Sequence, residues 1–143
     1  MARSGSTLLE LMMGALVVGV VFFTVYGCFT YGFLVTELNR ENLRATQILE
    51  EKMEMARLYN WDQVTNNWIP QSFTEYFVPS GGATNGGLTF TGHVTVANAP
   101  ITETYSSDLR MITVQVTWTS GNVARERDMT TFISHYGLQN YIY

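Results

Sequence analysis

Leu11-Met12-Met13-Gly14-Ala15-Leu16-Val17-Val18-Gly19-Val20-Val21-Phe22-Phe23-Thr24-Val25-Tyr26-Gly27-Cys28-Phe29-Thr30-Tyr31-Gly32-Phe33-Leu34-Val35-Thr36 decides the architecture, because it runs for 26 residues without a charged side chain. As a helix at 1.5 Å per residue it is about 39 Å long. That exceeds the roughly 30 Å hydrocarbon core of a bilayer, so the segment spans with tilt. A cleavable secretory signal would have a shorter apolar region ending in small residues. Here the exit sequence is Tyr31-Gly32-Phe33-Leu34-Val35-Thr36.

The next 26 residues, 37–62, carry ten charges. This contrast is hidden in the whole-chain figures of 143 residues, 46% hydrophobic and 14% charged. A soluble domain carries roughly 25% charged residues, so the split excludes a plain cytoplasmic globular enzyme. Residues 37–59 set Arg40, Arg44, Lys52 and Arg57 against Glu37, Glu41, Glu50, Glu51 and Glu54. Residues 60–143 hold three arginines and six acids, within a net charge of −4 for the chain. No basic patch is present to neutralise phosphates, so nucleic-acid binding has little electrostatic support. Cys28 is the sole cysteine, which excludes an intramolecular disulfide.

No proline occurs between Met1 and Ile69, so the helix is expected to continue past Thr36. Leu38, Ala45, Ile48, Leu49, Met55, Ala56 and Tyr59 form its expected apolar stripe. Glu37 and Arg40, and Glu41 and Arg44, place opposite charges three residues apart on the expected wet side. The helix is expected to end near Tyr59. From Trp61 the pattern shifts to period two. Leu88, Phe90, Val94 and Val96 share one face of a strand near 88–96, and Ile112, Val114, Val116 and Trp118 share one face near 110–118. Ser120-Gly121-Asn122 signals a turn into a further strand near 123–134, and the glycine-rich stretch 80–87 reads as a flexible loop. Such a sheet has one apolar face and needs the amphipathic helix as cover. The expected fold class is α+β, a long N-terminal helix packed on a small antiparallel sheet.

Glu10 is anomalous, since a carboxylate carried to the bilayer centre costs roughly 2.5–3.5 kcal/mol. As an isolated residue it would sit at the interface or favour a helix start. Its neighbours add more. Gly5-Ser6-Thr7-Leu8-Leu9-Glu10-Leu11 resembles the processing site of the type IV prepilin and type II secretion pseudopilin family, with Gly5, Thr7, Leu8 and Glu10 in register. The resemblance implies a leader at 1–5, cleavage between Gly5 and Ser6 by prepilin peptidase, and N-methylation of Ser6. It further implies a transmembrane and filament-core helix at 6–36, an amphipathic half at 37–60, and a periplasmic or extracellular head at 61–143. Glu10, with Thr7 and Leu8, would serve assembly, the carboxylate pairing with a neighbouring subunit's amino terminus; a buried charge is tolerable when so paired. The expected partners are prepilin peptidase, other pilin or pseudopilin subunits, and the bacterial inner membrane before assembly.

Ser6 replaces the family's common phenylalanine, a change more frequent in minor subunits. Ala45-Thr46-Gln47-Ile48-Leu49-Glu50-Glu51-Lys52-Met53-Glu54 and the 109–118 strand resemble minor pilins of the modification-protein kind and minor pseudopilins of the I kind. The absence of a C-terminal cysteine pair, and of proline in the membrane helix, points away from a major pilin. A competing reading starts from Val25-Tyr26-Gly27-Cys28, which partly resembles a lipoprotein lipobox. It would make the chain a membrane- or lipid-anchored envelope binding domain that never assembles. Otherwise Cys28 reads as a small buried hydrophobe.

Nothing points to catalysis, a metal or a cofactor. His93 and His135 lie in unrelated segments, no H-E-x-x-H or G-x-S-x-G motif occurs, and the glycine loop lacks a phosphate-gripping lysine. Asp62, Asp108 and Asp128 lack the spacing of a calcium loop. The aromatics Trp61, Trp68, Phe73, Tyr76, Phe77, Tyr136, Tyr141 and Tyr143 are expected mainly in the core. Arg125-Glu126-Arg127-Asp128 makes both faces of its strand polar, as at a sheet edge or a subunit contact.

Overall fold

The computed structural model describes the backbone of residues 4–137 and the side chains of residues 8–137. Helix α1 spans Ser4–Arg57 without a break. It passes through two compact units, residues 1–40 and residues 41–143.

In the second unit α1 gives way to a short helix α2, Trp61–Thr65, and then to four strands. Strand β1 is Ser72–Tyr76, β2 is Thr89–Asn98, β3 is Leu109–Ser120 and β4 is Val123–Ser134. A one-turn helix α3, Gly82–Asn85, lies between β1 and β2. The fold is α+β. All neighbouring strands are antiparallel, in the order β1-β2-β3-β4.

Local chemistry explains the boundaries. Leu58 N–H donates to Met55 O at 3.1 Å, tightening the last turn of α1, where Arg57 is placed favourably against the helix dipole. Asn60 then starts α2 through a capping box. Its side chain accepts from Gln63 N at 2.9 Å, and Gln63 Oε1 accepts from Asn60 N at 3.0 Å. Gly121 adopts φ +58° in the two-residue connection between Ser120 and Val123, a position that favours glycine as the first turn residue. Strands β2, β3 and β4 fall where the alternation predicts them. The stretch 80–87 instead folds into a 3₁₀ turn, Pro79–Gly81, followed by α3, which is closed by Gly86 N–H to Gly82 O at 2.9 Å. Glycine's backbone freedom serves a tight turn here rather than a loose loop.

The core lies between one face of α1 and one face of the sheet. Ala45, Ile48, Leu49, Met53 and Ala56 are buried with Phe90, Ile112, Val114, Val116, Trp118 and Ile133, and Val64 and Ile69 belong to the same cluster. Two expectations for the helix stripe are corrected. Met55 is 42% exposed and Met53 is buried. Residue 53 follows Leu49 by one helical repeat of four, whereas residue 55 lies two positions further round and leaves the face. Glu41, expected on the wet side, is only 7% exposed. It precedes Ala45 by four and Ile48 by seven, so the helix carries it onto the sheet face.

Candidate assembly interface

In the first unit the described residues from Leu8 to Arg40 are almost all solvent-facing; Gly19, Gly27 and Leu38 are half-buried. The helix is apolar and long enough to cross a membrane by length and composition. Its hydroxyls do not oppose this. Thr24 donates to Val21 O at 2.8 Å, Thr30 to Tyr26 O at 3.1 Å and Thr36 to Gly32 O at 2.8 Å. These three threonine hydroxyl hydrogens are satisfied within the helix, as hydrocarbon requires. Cys28 is an exposed thiol in this helix, not a buried one.

Two rows of side chains differ sharply along this segment. Gly14, Val18, Val21, Val25, Cys28 and Gly32 follow Glu10 at steps of four, four, three, four, three and four, so a narrow row of small and β-branched residues begins at the carboxylate. Phe22, Tyr26, Phe29 and Phe33 step by four, three and four on a separate, exposed ridge. The ridge is hidden in the sequence because the residues around it are uncharged and mostly apolar. The spacing of aromatics within the apolar set was the available signal. A ridge beside a groove of small residues is suited to close helix packing, since small side chains let backbones approach and large ones fill the space.

Of the residues singled out by motif, Glu10 and Leu8 are exposed on α1. Gly5, Ser6 and Thr7 belong to its first turns, and their side chains lie outside the described residues, as do Met1, Ala2 and Arg3 of the expected leader.

In the second unit polar groups tie the helix to the sheet at several points. Trp118 Nε1 donates to Glu41 Oε2 at 3.1 Å, with both residues buried. Lys52 Nζ meets Glu75 Oε1 at 2.7 Å and lies 4.8 Å from the centre of the Phe73 ring. Arg44 Nε donates to Tyr76 O at 3.3 Å, and Arg127 Nη1 to Thr46 Oγ1 at 2.6 Å. Arg44 thus reaches the sheet instead of a helical neighbour. Lys52 and Arg44 fasten β1, the short edge strand, to the helix.

The opposite face of the sheet is rich in hydroxyls. Thr89, Thr91, Thr117, Thr119 and Glu126 line a depression of about 560 Å³ across β2, β3 and β4. Thr113 and Thr130 share a hydrogen bond of 3.1 Å, and Gln115 Nε2 donates to Glu126 Oε1 at 2.7 Å. His93 is exposed on this face. His135 stands elsewhere, stacked on Trp61 at 4.9 Å and 3.7 Å from Asp108 Oδ1. The two histidines are not brought together.

The expectation that most of the quoted aromatics are core residues holds in part, for Trp61, Phe73 and Phe77 pack against the core. Phe73, Tyr76, Phe77 and Trp61 are half-buried, while Trp68 is 66% and Tyr136 74% exposed. Phe90 and Trp118 fill the centre instead, their rings 5.5 Å apart. Tyr141 and Tyr143 lie outside the described residues. Comparison with family models, with curated proteins and with solved structures gives no match for this chain.

Proposed function

We propose that the chain is a structural subunit, a minor pilin or minor pseudopilin, that assembles through its N-terminal helix into a type IV pilus or type II secretion-like filament. The carrying observation is Glu10. It is the single charge among residues 8–36, it heads the row of small residues on α1, and it stands in register with Gly5, Thr7 and Leu8. An unpaired carboxylate there opposes burial in lipid, while a neighbouring subunit's terminal ammonium would make it favourable. The α+β arrangement agrees with a pilin fold, in which the helix forms the filament core and the sheet faces outward.

Before assembly the subunit would cross the inner membrane once, with its head in the periplasm, and prepilin peptidase would cut after Gly5. Residues 6–36 would then exchange lipid contacts for neighbouring helices, with Glu10 setting axial register. Intact-mass and N-terminal analysis of the protein from membranes tests this. A methylated Ser6 start is expected. An intact Met1, or a lipidated Cys28 as the new terminus, would establish the anchored, non-assembling alternative instead.

A further inference from the structure

The two edges of the sheet are unlike each other. Strand β4 is a long, regular edge, paired with β3 from Ser120↔Val123 to Leu109↔Ser134 in one unbroken register, without proline or bulge. Natural edges of that length are usually blunted by such devices. Here protection is left to charge, and the charges are sorted by face. Arg125 and Arg127 alternate with Glu126 and Asp128. Their partners across the ladder, Trp118 and Val116 against Thr117 and Gln115, put the arginines on the helix side and the acids on the outer side.

This sorting discriminates between possible partners. When two β4 edges meet antiparallel about a two-fold axis, helix-side residues oppose only helix-side residues. With the axis at residues 125–128, arginine then faces arginine and acid faces acid, which is destabilising. Strand β1, the other edge, has the complementary pattern, with Phe73 and Glu75 on the helix side and Ser72, Thr74 and Tyr76 on the outer side. The backbone groups also agree in phase. Val94 N–H bonds Gln71 O and Phe77 N–H bonds Leu88 O, so the even-numbered residues of β1 point their N–H and C=O groups away from β2. His135 N–H bonds Asp108 O, so the even-numbered residues of β4 likewise point away from β3.

We infer that the β4 edge of one copy pairs antiparallel with the β1 edge of a second copy, Glu75 opposite Arg127, joining subunits head to tail. Thr74 then faces Asp128 and Ser72 faces Thr130. The Lys52 contact uses Oε1 of Glu75, and the Thr46 contact uses Nη1 of Arg127, so Oε2 of the carboxylate and the other guanidinium nitrogens remain to meet each other. Two different edges make the contact heterologous, and such contacts propagate into open arrays rather than closed dimers. The inference rests on the assembly reading for what gathers the copies, and it adds which surfaces of the heads touch.

The test is disulfide trapping of the full-length protein in cells, with Cys28→Ser and the pair Ser72→Cys and Thr130→Cys. Within one chain these positions are separated by three strand spacings, about 14 Å. That is beyond the roughly 7 Å limit for a disulfide, so any bond joins two copies. A ladder of dimer, trimer and higher species is expected on non-reducing gels. It should fall several-fold when Arg127→Glu is added and should be absent when either cysteine stands alone. Sheared filaments are collected from the same cells. Filaments without a ladder would overturn the edge pairing and leave assembly intact. A ladder in membranes without filaments would leave the pairing and overturn the filament reading. Loss of both would overturn both, and a dimer from Thr130→Cys alone would show β4 meeting β4 and overturn the pairing.

Discussion

Glu41 and Trp118 are joined by a buried hydrogen bond, the indole Nε1 donating to Oε2 at 3.1 Å, with the two residues 7% and 4% exposed. They lie 77 positions apart in the chain, so this bond ties α1 to the middle of the sheet. Glu41→Ala removes the acceptor and leaves a buried N–H without a partner, which should destabilise the head by about 1–3 kcal/mol. Glu41→Gln retains a carbonyl acceptor and should lose much less. Chemical denaturation of the detergent-solubilised protein, followed by tryptophan fluorescence, gives both values. Equal losses for Ala and Gln would mean that the charge, not the hydrogen bond, matters.

That same residue shows where sequence reading succeeds and where it stops. Spacing alone puts Glu41 on the stripe with Ala45 and Ile48, but its charge argues for the wet side, and the partner that reverses the preference is remote in sequence. Strands β2, β3 and β4 are long enough for alternation to identify them. Strand β1 is not: five residues with a glutamate inside become a strand because β2 offers the pairing and Lys52 holds Glu75. The resemblance around Gly5, Thr7, Leu8 and Glu10 rests on neighbouring residues, so it comes from the sequence and not from the fold. The aromatic ridge is masked by an uncharged, mostly apolar surround, and the edge complementarity of Glu75 and Arg127 requires knowledge of strand order.

Gly92 and Phe73 provide a packing test. A Cβ added at Gly92 would come within 2.0 Å of Phe73 Cζ. Gly92→Ala should therefore push the ring from its site and cost about 1–3 kcal/mol through overpacking. Phe73→Leu, with a shorter side chain, should recover part of that loss. The two substitutions together should cost measurably less than their sum, since contacting residues couple. Additive losses in a double-mutant cycle would mean that Gly92 is needed for its backbone alone.

Lys52 and Glu75 predict a local effect. Their side chains are partly shielded, at 15% and 26% exposure, and β1 is short. Lys52→Met keeps the apolar stem and removes both the ion pair and the cation–π contact with Phe73. Global stability should fall by about 1 kcal/mol or less, in line with partly exposed ion pairs. Amides of β1 should exchange with deuterium faster than those of β3, because the lost contact fastens the edge rather than the centre. Uniformly faster exchange over the whole sheet would contradict a role confined to β1.

Glu10 and the aromatic ridge separate insertion from assembly. Glu10→Leu makes the segment more apolar, removing a group worth roughly 2.5–3.5 kcal/mol against insertion if taken to the bilayer centre. The variant should therefore reach the membrane at least as well as the parent, while its recovery in sheared filaments drops. Replacing Phe22, Tyr26 and Phe29 with leucine keeps the span apolar but flattens the exposed ridge, and should also lower recovery without loss of membrane protein. The two defects differ in kind. On the proposed reading, loss of Glu10 removes a charge whose pairing would fix axial position, so overexpression should not restore incorporation. If the ridge packs against neighbouring helices as proposed, its loss would weaken many dispersion contacts, each small, so raising subunit concentration should restore incorporation in part. Quantitative blotting of membrane and sheared fractions across an induction series measures both. Full recovery of Glu10→Leu in filaments at parental expression would remove the carboxylate from the mechanism.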